Sequence, residues 1–188
     1  MYRALLADAR FHELLLAFDR DLAGLARKAG CGHCGGVLHS ARFRRKPRGA
    51  PAGLEEDYEQ RHSFCCAAEL CRKRTTPPSF RFLGRKVFPG VVVVLVAAMQ
   101  RGTAAARELA TLAGVSRRTV ARWREWWRSA FVASPFWVTA KAAFMPPLDE
   151  ARLPASLIAR FGGDEAAQLI ALLRLLLPIT GGAAMQAA

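Results

Sequence analysis

The sequence predicts a mostly α-helical chain with a small β ribbon near its start: an N-terminal helix, a cysteine-bearing hairpin, then a helical region built around two crossing helices. Three observations carry this reading. Apolar residues before Gly30 recur at helical spacing, two cysteine pairs bracket a short segment broken by Gly and Pro, and "LATLAGVSRRTVARW" has the pattern of two helices joined by a glycine turn. The predicted divisions are residues 1–30, 31–78, 79–130 and 131–188.

From Leu5 to Ala29, Phe11, Leu14, Leu15, Phe18, Leu22, Leu25 and Ala26 fall on one face of a helix that ends near Gly30. "VLHSARFR", Val37 to Arg44, alternates as a strand does, and "RKPRGAPAG" breaks it into a loop followed by the acids Glu55, Glu56, Asp57 and Glu59. Arg61 to Cys66 reads as the returning strand. "TTPPSF", Thr75 to Phe80, excludes helix through its two prolines and is expected to link the hairpin to the rest. The run Val91 to Met99, closed by Gln100 and Arg101, is about half the length that crosses a bilayer, so a buried helix or strand is expected, and no membrane partner. Further on, Ser134 caps a helix with Pro135 at its first position and Pro146 beyond it. A last helix runs from Asp164 to Leu177, with Pro178 as its stop. Its apolar arc, Leu169, Ile170, Leu172, Leu173, Leu176 and Leu177, is too wide for a surface helix. Burial against the helix at 5–29 or across a homodimer is expected.

Cys31 and Cys34 have the two-residue spacing of a zinc knuckle, followed by Gly35 and Gly36; Cys66 and Cys71 supply a second pair with four residues between. Four such ligands on two turns make a tetrahedral Zn2+ site with no open position, hence structural. Cys65 and Cys66 point to opposite faces of a strand, so one of them binds; the tighter turn favours Cys66, with Cys65 as the alternative. His33, His39 and His62 are the substitutes should that assignment fail. The absence of an uninterrupted apolar stretch before Asp8, Glu13, Asp19 and Asp21 points away from a signal peptide, toward a cytoplasmic chain with reduced thiols.

The net charge is +13, and Cys31–Arg128 contributes 12 of it, with 19 Lys and Arg against 7 Asp and Glu. So concentrated an excess asks for a polyanion, and double-stranded DNA is the expected partner. Around Gly114, residues Leu109, Ala110, Ala113, Val115, Val120 and Trp123 are small or apolar where two crossing helices meet, and Ser116 caps the second helix. Ser116, Arg117, Arg118, Ala121 and Arg122 then face outward, where a recognition helix enters the major groove. Trp123, Trp126 and Trp127 read as core. Arg42, Arg44, Arg45, Lys46 and Arg48 on one arm of the hairpin, with Arg72, Lys73 and Arg74 after Cys71, are the expected phosphate contacts.

On "CGHC", "CCAAELC" and "LATLAGVSRRTVARW", residues Cys31 to Arg128 resemble the N-terminal DNA-binding part of bacterial insertion-sequence transposases and their small helper proteins, in which a cysteine zinc ribbon precedes a helix-turn-helix. The resemblance implies zinc at Cys31, Cys34, Cys66 and Cys71, DNA read by the second helix, a transposase or recombinase as partner, and a nucleoid setting. The chain departs from it after Arg128. Asp149, Glu150, Asp164 and Glu165 are the tail's acids, two adjacent pairs that cannot assemble a two-metal site. The expectation is therefore a sequence-specific DNA-binding accessory protein of a mobile element, not an enzyme. The alternatives are a transcriptional regulator, an RNA- or protein-binding zinc adaptor, and a metal-dependent nuclease using the acids at 55–59.

Overall fold

The computed structural model describes residues 2–84, 86–100 and 102–181. It is mostly helical with small antiparallel sheets. Helices α1 (Tyr2–Ala7) and α2 (Ala9–Ala29) divide the expected N-terminal helix at Asp8, whose carboxylate caps α2 by accepting from the Arg10 amide. The buried face of α2 is Phe11, His12, Leu15, Leu16, Asp19 and Ala23. It is rotated from the hydropathy stripe, leaving Leu14 and Leu25 exposed, because two polar residues, His12 and Asp19, belong to the inner face.

Strands β1 (Leu38–Ser40), β2 (Phe43–Arg44), β3 (Gln60–Arg61), β4 (Phe64–Cys66) and β5 (Arg74–Thr75) form two patches, ordered β1-β4-β5 and β2-β3, all antiparallel. The acids expected on an open loop form a 3-10 turn, Glu56–Glu59, leading into β3. Pairing Leu38 with Cys66 and Ser40 with Phe64 turns Leu38, Phe64 and Cys66 inward; with Ala23 and Cys31 they make a small second core on α2.

The larger core surrounds α3 (Gly90–Ala98), in which every residue from Gly90 to Ala97 is buried. A helix apolar all round must be central, and here packing overrides the poor helix propensity of five valines. Gln100, just past it, is exposed; Arg101 lies outside the described residues. Around it stand α4 (Ala104–Leu112), α5 (Arg117–Trp126), α6 (Pro135–Ala140), α7 (Ala155–Ile158) and α8 (Glu165–Leu175). Ser134 caps α6, accepting from the Trp137 amide, and Asp164 caps α8, accepting from that of Ala167. The apolar arc of α8 is covered within the chain: it packs on α3 and α7, and Leu173 closes over Gly90. Trp123 and Trp127 are buried and Trp126 half-buried, as core residues.

The Thr75–Phe80 segment, expected as a linker, is instead threaded through the interior. Pro77, Ser79 and Phe80 are buried, and the Ser79 amide donates to Thr180 Oγ1 at 2.8 Å. What draws it in is Asp19. Its carboxylate accepts from the Phe80 amide at 2.6 Å, from Ser79 Oγ, and from Arg81 Nε at 2.8 Å, with both ionic side chains at 0% exposure.

Two outcomes follow. Removing one partner of a buried, hydrogen-bonded pair strands the other, so Asp19→Ala or Arg81→Met should lower unfolding free energy by about 3–5 kcal/mol in urea titration. Arg42→Ala, which breaks an exposed pair with Asp57, should lower it by less than about 1 kcal/mol. The second concerns His62, which is buried with Nε2 unpartnered and is depressed to about 4 by burial and by nearby Arg81 and Arg42. The unfolded chain, titrating near its usual 6.5, takes up a proton that the fold refuses, so stability is complete above that value and falls as pH drops toward 4. Relative to His62→Gln, the wild type should lose roughly 1–2 kcal/mol between pH 7 and pH 5.

Candidate metal centre and nucleic-acid interface

Cys31, Cys34, Cys66 and Cys71 bring their sulfurs within 4.8 Å of one another, close enough to hold a metal ion. The Cys34–Cys66 and Cys31–Cys71 separations are 3.4 and 3.8 Å. Tetrahedral bonds of about 2.3 Å to zinc would set sulfurs about 3.8 Å apart. Cys66 completes the group rather than Cys65, which pairs with His39 in the sheet and turns its sulfur toward the Arg72 carbonyl. His33 and His39 are exposed, and neither they nor His62 joins the cluster.

Both cysteine turns are built alike, although one has two residues between its cysteines and the other four. The first cysteine's amide donates to the carbonyl two residues beyond the second: Cys31 to Gly36 and Cys66 to Lys73, both at 2.9 Å. The residue after the second cysteine has positive φ, Gly35 at 71° and Arg72 at 46°. Each sulfur also accepts from the amide two residues on: His33 for Cys31, Gly36 for Cys34, Ala68 for Cys66 and Lys73 for Cys71. Those amides are the outer support that a thiolate set needs.

They hold the Cys31 thiol down to about 7, through the amides of His33 and then Cys34. The other three are raised despite their amides, Cys66 and Cys71 by burial and then by neighbouring thiols, Cys34 by the Cys66 thiol and then by burial. A Cβ on Gly36 would stand 3.2 Å from Cys66 Sγ and 3.3 Å from Cys34 Sγ, so that glycine keeps the thiolates' outer side clear.

The basic residues expected to touch DNA separate into three groups. Arg42 and Arg44 are paired with Asp57 and Glu59, and Arg20 joins Asp57 to Glu55. Three of the four acids proposed for a nuclease are therefore engaged, and among the described residues only the cysteines gather as metal ligands. Arg45 is half-buried, donating to the Gly84 and Lys86 carbonyls at 3.2 and 2.8 Å over the Phe82 ring. Lys46, Arg48, Arg72, Lys73, Arg74, Arg117 and Arg118 are exposed, with no carboxylate partner among the described residues.

Helices α4 and α5 meet at a turn in which Gly114 has φ of 59° and Ser116 Oγ accepts from the Thr119 amide. Leu109, Ala113, Val115 and Trp123 are buried at the junction; Ala110 and Val120 are half-buried. Ser116, Arg117, Arg118, Ala121 and Arg122 are all exposed on α5's outer side. Arg124 turns back to the Ala97 and Met99 carbonyls at the end of α3, fixing α5 on the core. No helix among the described residues is long and apolar enough to cross a membrane.

If the quartet is the ligand set, one equivalent of Cd2+ should give thiolate charge-transfer absorbance in the wild type and in Cys65→Ser. Cys66→Ser should lose most of it, and Gly36→Val should weaken binding about 10- to 100-fold. Equal loss in Cys65→Ser and Cys66→Ser would reject the assignment. Set beside protein-family models, curated proteins and solved structures, the chain finds no match in any of the three comparisons.

Proposed function

We propose that this protein is a sequence-specific DNA-binding accessory factor of a mobile genetic element, folded around a structural Zn2+. The observation that carries DNA binding is the outer face of α5, where Arg117, Arg118 and Arg122 stand exposed on a helix whose opposite side, Trp123, is buried. A solvated helix face ordinarily mixes both signs of charge; between Arg117 and Arg128 Glu125 is the single acid.

On this reading α4, the Gly114 turn and α5 form a helix-turn-helix. The N-terminal half of α5 enters the major groove, where an arginine fork matches guanine O6 and N7. Four thiolates select zinc over hard cations and leave it no open position, so the ion shapes the hairpin and takes no part in chemistry. The mobile-element setting rests on the resemblance carried by "CGHC", "CCAAELC" and "LATLAGVSRRTVARW". A host-operon regulator shares the same contacts, and footprints at element ends or at a promoter separate the two.

One observation favours a second reading, a protein-binding adaptor: Val37 and Leu70, beside and within the cysteine turns, are 70% and 105% exposed. The deciding experiment is selection from a random duplex library. DNA binding predicts an enriched site, on which Arg118→Ala and Arg122→Ala each lose about 1–3 kcal/mol while random DNA is little affected. Recovery of no site, with Arg118→Ala binding as the wild type does, would leave the adaptor.

A further inference from the structure

We propose that the loop after β2, carrying Lys46 and Arg48, is a wing that grips the DNA backbone beside the groove entered by α5, held at a fixed distance from that helix by the close seating of Gly49 on the α4–α5 turn. The inference rests on the DNA-binding reading and adds to it a second, rigidly placed contact.

Gly49 has φ of +77°, and a Cβ there would lie 2.6 Å from the Ala113 carbonyl oxygen and 3.2 Å from the Ala113 Cβ. Backbone meets backbone at that point, so only glycine brings the loop so near the turn that starts α5. The neighbouring residues tie the same loop to the segment before α3. The Arg48 amide donates to the Val87 carbonyl at 3.3 Å, and Arg45 donates to the carbonyls of Gly84 and Lys86.

That segment is fastened in turn to the inner side of α5: Phe88 meets Trp123 edge-on with centroids 5.1 Å apart, and Lys86 Nζ lies 3.9 Å from the Trp126 ring centre. A loop of Pro, Gly and Ala would otherwise be mobile. Here it is fixed to the α4–α5 turn directly and to α5 through an intermediate layer. Lys46, at φ of +45°, and Arg48 are left exposed with no carboxylate partner among the described residues.

The arrangement distinguishes these two cations from their neighbours on the same hairpin. Arg42 is already paired with Asp57 and Arg44 with Glu59, whereas Arg45 is committed to the interior. A phosphate partner suits exposed, unneutralised cations, and a fixed separation from a groove-binding helix suits a duplex of regular geometry rather than a flexible strand.

The test measures binding of the full-length, metal-loaded chain to random-sequence duplex DNA across salt concentrations, with hydroxyl-radical footprints on the selected site. Lys46→Ala with Arg48→Ala should reduce the slope of log affinity against log salt by about 1.8, near 0.9 per phosphate contact. It should also erase backbone protection on one flank of the α5 footprint. Arg42→Ala should do neither. Gly49→Val, charges intact, should lose the same flank protection while retaining metal.

An unchanged slope and footprint in Lys46→Ala/Arg48→Ala, with Arg118→Ala still losing its site, would overturn the wing and leave the DNA-binding reading standing. Absence of duplex binding by the wild type would overturn both. Competition by single-stranded DNA as strong as by duplex would also reject the wing.

Discussion

A carboxylate and a guanidinium taken wholly out of water set the terms for the rest of this molecule. Asp19 lies on α2 between the residues that enter the large core, Phe11 and Leu15, and the residue that enters the small one, Ala23. Arg81, its partner, also donates to the carbonyls of Tyr58 and Gln60 and lies across the rings of Tyr58 and Phe82. One ion pair thus fixes α2, the turn leading into β3 and the entry to the helical region relative to one another. Desolvating two charges contributes little net stability even when every lone pair is answered; what it contributes is a single permitted arrangement.

That pair also marks where the sequence stopped being legible. Helix ends could be read because their signals are local: Ser116, Ser134 and Asp164 each accept from an amide three residues on, as their side chains allow from almost any tertiary setting. The gathering of Cys31, Cys34, Cys66 and Cys71 was legible from equally local signals: strand alternation allows one of Cys65 and Cys66, and the tighter turn points to Cys66. The inner face of α2 was not, because hydropathy places Asp19 outside and only a partner 62 residues away brings it in. Likewise "TTPPSF" has the composition of a linker, and its burial follows from groups on α2 and near Thr180 that no local pattern announces. Arg72 holds a left-handed conformation that a glycine signature would have revealed; an arginine there gives no warning.

Charge counting located the basic surface but could not divide it. A surplus of 12 between Cys31 and Arg128 is one number in the sequence and several environments in the fold. Asp57 and Glu59 neutralise one pair of arginines, Arg45 and Arg124 bind carbonyls, and Arg81 is internal. The long-range field of the chain follows the full net charge, whereas short-range contacts with a polyanion fall to the cations left exposed. The two quantities therefore differ, and salt dependence reports the second.

The cysteine cluster and the α5 surface belong to different cores, yet the backbone joins them. Ala23, Cys31, Leu38, Phe64 and Cys66 make a core too small to hold a hairpin by burial alone, and an ion closing the four thiolates, as proposed, would add to it. β1 runs directly toward β2, and just past the end of β2 stands Arg45, whose guanidinium is bound to the segment packed beneath α5. The cysteine turns are tied through β4 to its partner β1, the β2–β3 ribbon follows along the chain, and the loop beyond it rests on Ala113. Helix α5 itself, seated on α3 and anchored by Trp123, Phe88 and Arg124, does not depend on that sequence of contacts. The cysteine turns thus set where the hairpin's cations stand, while the helical core sets where those of α5 stand, and the Gly49 contact is where the two meet.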